Sequence, residues 1–210
     1  MKFYESGDQS KPVLFLFPGT CCLYSSFDHV LEGLHVYFYT VVVSLLIQRK
    51  RIHMDHGIIG SSDMDEAGKV MATIQASIVT PIMYKMVHTE TLPKLMEKKI
   101  AQMDDSKKKL VNGFLDMFGL GGSWITKKSI YNQFYSDLVT KVQHNIDVPN
   151  TKIHVFYATK MGKKYEKRYY TYFKNPDIHR FNMQHEELFC CHANKWIEEV
   201  RNVVIGDVGL

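Results

Sequence analysis

No apolar stretch of this chain is long enough to cross a membrane. The longest, residues 36–47, falls short of the ~20 residues that a spanning helix needs. The opening residues, Met1-Lys2-Phe3-Tyr4-Glu5-Ser6-Gly7, hold no apolar signal-peptide region, so export is not expected. Cysteine is scarce. It occurs as two adjacent pairs, Cys21-Cys22 and Cys190-Cys191, and sequence neighbours rarely bridge each other, which favours a reduced, cytoplasmic protein over a disulfide scaffold. Excess charge of one sign is also missing. With 26 Lys and Arg against 22 Asp and Glu, the net charge of +4 does not mark a nucleic-acid binder. The basic clusters Arg49-Lys50-Arg51, Lys107-Lys108-Lys109 and Lys163-Lys164 with Lys167-Arg168 read as solvated helix faces. Neither nucleic acid nor a membrane is expected as a partner, and the oligomeric state is left open. There is no internal repeat and no low-complexity segment.

What is present suffices for a folded core. A chain of 210 residues can bury roughly 70% of its unfolded surface. Its hydrophobic content of 45% and charged content of 23% exclude wholesale disorder. The length fits one domain, or one domain with a sizeable insertion.

The order of elements is that of an α/β fold. Val13-Leu14-Phe15-Leu16-Phe17 is a short apolar run ending in Pro18-Gly19, the pattern of a buried strand entering a tight loop. Residues 26–34 can form a short helix, and the β-branched and aromatic residues 37–43 a second buried strand. Residues 44–48 look like a helix end with Arg49-Lys50-Arg51 on its last carbonyls, and residues 52–59 like another strand. From residue 64 to about 142 the pattern turns helical. Ala67, Val70, Met71, Ile74 and Ile78 form one apolar face, with Pro81 limiting that helix. Leu92, Leu95, Met96, Ile100 and Met103 repeat the spacing, then Leu110, Phe114 and Phe118. Residues 119–123 break the chain, after which Thr126 can cap a helix carrying Ile130, Phe134, Leu138 and Val142. Strand character returns at residues 152–158. A Tyr-rich helix limited by Asn175-Pro176 follows, then a short strand over 178–181 and a last helix with Trp196, Val200 and Val203.

Three places make the chain resemble an α/β-hydrolase with a helical cap. Leu16-Phe17-Pro18-Gly19-Thr20-Cys21-Cys22 is similar to the family's first strand and oxyanion loop, residues 52–63 and 153–158 to a core sheet interrupted by a cap, and Met183-Gln184-His185 to the loop of the catalytic histidine. The resemblance implies an α/β core domain of mostly parallel sheet over 1–63 and 143–210, with a helical cap over 64–142. It also implies His185 as general base and Thr20 and Cys21 as backbone oxyanion donors. Where the family offers its acid stand Thr159, Lys160, Met161 and Gly162; the nearest downstream carboxylate, Glu166, takes that role, while Glu186 and Glu187 follow His185 directly.

One departure is sharp. The family's Gly-x-Ser-x-Gly turn, which exposes a nucleophilic serine on a strained corner, does not occur in the sequence. It should fall near Ser44, where a crossover helix, a strand and the elbow are missing, ~30 residues or more by the usual size of such a unit. Either the protein has lost its nucleophile or a stretch is missing from the sequence. The second is preferred, because losing a central strand would expose neighbouring edges.

Other residues carry weaker chemistry. Ser44 lacks flanking glycines, Ser123 lies between helices, and Cys21 sits where the oxyanion loop belongs, so none is preferred as the nucleophile. His53, Asp55 and His56, and His179, His185, Cys190, Cys191 and His192, have no recognised zinc spacing, and neither a metal nor another cofactor is expected. Met83, Met86, Met96 and Met103, with Tyr84 and Phe114, can pack a core or line an acyl pocket. The expected function is a serine esterase or acyl-hydrolase acting on a small-molecule ester, thioester or amide held between cap and sheet. The alternative is a non-catalytic binding protein of the same fold.

Overall fold

Tyr39-Thr40-Val41-Val42-Val43 is β-branched at every position but the first, and such residues stiffen the extended chain and pack well on both faces of a pleat. In the structure, a computed structural model that describes residues 2–18, 24–44, 66–89, 94–119, 125–139 and 144–208, they form the centre of a three-stranded sheet. The order is β1 (Lys2–Ser6), β3 (Tyr39–Ser44), β2 (Val13–Leu16). β1 runs antiparallel to β3 and β2 runs parallel to it, so the sheet is mixed. Thr40, Val41, Val42 and Val43 are buried, as a strand covered on both sides requires.

A parallel pair needs a crossover, and residues 24–35 supply it. A 3-10 turn (Tyr24–Phe27) leads into helix α1 (Asp28–His35), which buries Val30 and Leu34 one turn apart, next to the buried Phe27 and Phe38. Each such side chain removed from water contributes about 1.5–3 kcal/mol before entropy is counted. β1 has no counterpart in the sequence-based expectation, because it is short and its only strongly apolar residue, Phe3, points outward. Its anchors are polar or aromatic. Tyr4 stacks on Tyr24 with ring centroids 3.7 Å apart, and Ser6 Oγ lies 2.9 Å from both His35 Nε2 and Thr40 Oγ1.

The first unit also holds four helices: α2 (Glu66–Thr89), α3 (Lys94–Ala101), α4 (Asp105–Gly119) and α5 (Lys127–Val139). The expected cap on the last is present: Thr126 Oγ1 accepts the Ser129 N–H at 3.1 Å. Asp104 does the same for α4 through Lys107 N–H at 2.9 Å. Two expectations fail on α2. Pro81 does not limit it; the helix runs on to Thr89, and only the one donor that proline lacks is lost from its ladder. The expected inward face is also wrong, since Val70, Met71, Ile74 and Ile78 are all exposed. α2 buries the opposite stripe, Ala72, Ala76 and Thr80 at intervals of four. Helix periodicity reveals an apolar face but does not say which face meets a neighbour, and small residues allow closer approach. α2 packs most extensively on α5, where Met83, Tyr84 and Phe134 surround the buried Ile125 and Ile130.

The second unit, within residues 144–208, is a parallel pair, β4 (His154–Ala158) and β5 (Asp177–Phe181), with three helices: α6 (Lys163–Tyr172), α7 (Glu187–Cys191) and α8 (Ala193–Val208). In this unit the expected strand–helix–strand–helix order is met. One sheet face carries Tyr157, Ile178 and Arg180 towards α6, where the Tyr157 ring meets Tyr169 edge-on at 5.9 Å. The other face carries His154, Phe156, His179 and Phe181, their rings in contact. Among the described residues, no helix is long and apolar enough to cross a membrane.

Candidate functional site

In α/β sheets the carboxyl ends of parallel strands are where side chains for chemistry gather, because loops there are freed from the sheet yet held by it. In the second unit these ends are tied together. The backbone N–H of Lys160, after β4, donates to the Met183 carbonyl, after β5, at 3.2 Å. The Tyr157 hydroxyl donates to the Gly162 carbonyl at 2.6 Å, fixing the turn into α6.

His185 stands in the loop after β5, with about half of its side chain exposed. Its Nε2 lies 3.5 Å from Glu186 Oε1, so the carboxylate that can hold its ring is its own chain neighbour. Glu186 adopts a left-handed backbone conformation, φ +59°, rare for a residue with a side chain and concentrated at functional positions. The next residue locks the turn, as Glu187 Oε2 accepts the Gln184 N–H at 2.6 Å. Behind the loop, burial raises the Tyr169 hydroxyl above its ordinary pKa, with Tyr157 and Glu186 adding to the shift.

Glu166 lies on α6, and its Oε1 is held by Arg180, at 2.7 Å from Nε and 2.6 Å from Nη2. Arg180 also donates to the Tyr170 hydroxyl at 3.1 Å. Among the described residues no ion pair joins Glu166 to His185. The oxyanion residues Thr20 and Cys21 lie outside the described residues, as do residues 45–65 with the strand expected there, His53, Asp55 and His56. Ser123 is outside them too. Ser44 ends β3, paired in register with Lys2.

The histidines and cysteines near the C-terminus, whose spacing matches no recognised zinc pattern, do not assemble as one group. His192 Nε2 is 3.9 Å from Glu187, Cys190 and Cys191 are not disulfide-bonded, and His179 instead meets His154 and Asp177 across the strand pair. Sequence reasoning missed that last grouping. The signal was Asp177-x-His179 in a strand, since alternate residues share a face.

No family model and no curated protein matches the chain. Two solved structures are similar over nearly all of it. An alpha/beta hydrolase family protein from Desulfitobacterium hafniense superposes with a TM-score of 0.60 at 12% identity, over 97% of this chain and 100% of its own. A lipase-esterase related protein from Clostridium acetobutylicum gives 0.53 at 14% identity, over 96% and 98%. The chain has an α/β-hydrolase-like fold. At these identities the likeness carries the fold and not the reaction.

Proposed function

We propose that the protein is a hydrolase of the serine esterase or acyl-hydrolase type acting on a small ester, thioester or amide. The observation that carries this reading is the position of His185, in the loop after the last strand of an α/β-hydrolase-like fold and within ion-pair reach of a carboxylate. His185 would take the proton of the attacking hydroxyl, pass it to the leaving group, and activate the water that releases the acyl group. Backbone N–H groups at Thr20 and Cys21 would hold the developing oxyanion. The sheet is read as mostly parallel, with helices α2–α5 as a cap over residues 64–142 inserted between core segments 1–63 and 143–210. Glu166 is the acid implied by the family resemblance, and Glu186 is the one whose carboxylate lies near His185. A reducing, cytoplasmic setting suits Cys190 and Cys191.

A second reading, a binding protein that has lost catalysis, is favoured by a different observation: the sequence contains no Gly-x-Ser-x-Gly turn. Intact mass of the purified protein and labelling with a fluorophosphonate probe separate the two. A mass several kDa above 24.4 kDa with one labelled serine supports the hydrolase and locates its missing elbow. A mass of 24.4 kDa with no labelled residue sinks serine catalysis and leaves the binding protein.

A further inference from the structure

The geometry points to a site for one divalent first-row transition cation of the Zn2+ type, held by His154, Asp177 and His179 across β4 and β5. In register, His154 stands opposite Asp177, and His179 lies two residues further along β5, so all three side chains leave the same face of the sheet. His154 Nδ1 is 3.0 Å from His179 Nε2 and 3.4 Å from Asp177 Oδ2, and His179 Nε2 is 3.6 Å from the same oxygen. Ligand atoms about 2.0–2.1 Å from a tetrahedral zinc ion stand roughly 3.3 Å from one another. The three observed separations straddle that value, so a cation fits between the atoms with small side-chain rotations.

The chemistry of the donor set selects the class of ion. Two imidazole nitrogens and one carboxylate suit Zn2+ and its first-row neighbours, whereas Mg2+ and Ca2+ ask for oxygen ligands. Three protein ligands leave a fourth position for water, and burial shows on which side it opens. His154 is 14% exposed, His179 27% and Asp177 63%, a gradient from a closed floor to an open rim. The His179 ring is also held in place, since Phe156 meets it edge-on at 5.4 Å. Both nitrogens must present lone pairs to the metal, so the ring that donates in the His154–His179 hydrogen bond changes tautomer when the ion binds.

The ion would clamp two strands that otherwise pair only with each other among the described residues, and an isolated two-stranded sheet is marginal. The site lies at the amino ends of the strands, whereas His185 follows their carboxyl ends. It therefore does not depend on the hydrolase reading.

The test uses full-length, untagged, chelator-stripped protein titrated with ZnCl2 against a chromophoric chelator, with Co2+ spectra as a second readout. One equivalent should bind, and Co2+ should give the intense visible bands of a four-coordinate site. Affinity should fall roughly tenfold or more in H154A and H179A, and measurably in D177N, which is near-isosteric at an exposed position and should fold normally. H192A and the C190S/C191S pair should bind as the parent does. Absence of saturable one-equivalent binding to the parent protein would overturn the assignment. So would parent-like affinity in folded D177N and either folded histidine variant, which would move the ion elsewhere.

Discussion

Arg180 grips a single oxygen of Glu166, with Nε at 2.7 Å and Nη2 at 2.6 Å, and joins β5 to α6. The same guanidinium reaches the Tyr170 hydroxyl, and both partners raise its pKa, the Glu166 hydrogen bond most. A carboxylate held in this way stabilises a neighbouring cation whether or not it also orients a histidine. E166Q and E186Q therefore separate two roles when tested on a small p-nitrophenyl ester. If Glu186 orients His185, E186Q lowers kcat by about 10- to 100-fold, while E166Q changes kcat by less than about threefold. The reverse pattern would return the acid role to Glu166. Arg180→Ala should loosen α6 without moving the pH profile.

Replacing His185 tests the catalytic reading itself. The side chain is half exposed, so H185A should unfold in urea at the parent midpoint. Turnover of the same ester should fall by about 10²- to 10⁴-fold, the usual worth of a positioned general base. Parent-like turnover in H185A would remove His185 from the reaction.

Thr40 is the buried hub of the first unit. Its Oγ1 lies 2.9 Å from Ser6 Oγ and 3.0 Å from His35 Nε2, and it donates to the Ser6 carbonyl at 3.2 Å. Thr40→Val keeps the shape and removes the hydroxyl, leaving Ser6 and His35 to each other. The expected loss is about 1–3 kcal/mol, read from the urea midpoint at unchanged m-value.

The legible parts of this fold are those where local chemistry and tertiary context agree. The runs at Val13–Leu16 and His154–Ala158 read as strands and are strands, and Thr126 reads as a cap and caps. The first run is not the buried strand that its apolar residues suggest, since Val13 and Phe15 are exposed and only Leu16 is buried. β1 was not legible because Lys2-Phe3-Tyr4-Glu5-Ser6 owes its place to β3 and to one stacked tyrosine, both distant in sequence. α2 was misread for a related reason: its larger apolar residues face outward while two alanines and a threonine face in. At the candidate site, the loop that carries His185 was legible, because strand character ends just before it at Phe181. The His154–Asp177–His179 group was not, because strand register joins residues more than twenty positions apart.

Gly7 turns the chain between β1 and β2 at φ +98°, where a side chain is strained. A Cβ there would lie 3.1 Å from the Phe38 carbonyl oxygen and 3.1 Å from His35 Cδ2. Backbone cannot yield as a side chain can, so Gly7→Ala should cost about 1–3 kcal/mol. Denaturant unfolding of the variant beside Thr40→Val would show whether the two losses add, and less than full additivity is expected because both act on His35.

The alkaline limit of stability should lie with Tyr169. Its hydroxyl is raised above the ordinary value first by burial, then by Tyr157 and Glu186. A raised folded-state pKa means that the unfolded chain loses its proton first. The neutral phenol's contribution is therefore complete below the unfolded value of 10.0 and is lost as pH climbs through the folded one. Thermal unfolding followed from neutral pH to above pH ~10 should show a falling Tm on this limb. Tyr169→Phe should flatten the fall while leaving the acid side unchanged. There the lowered carboxyl of Asp8, bonded to Ser10 N–H and Oγ, sets the opposite sign: its contribution is present above the unfolded value and is lost as pH falls through the folded one. A parent-like alkaline slope in Tyr169→Phe would move the titrating group to Tyr157, whose hydroxyl is raised by burial, or to Tyr39, raised by its hydrogen bond to Glu5.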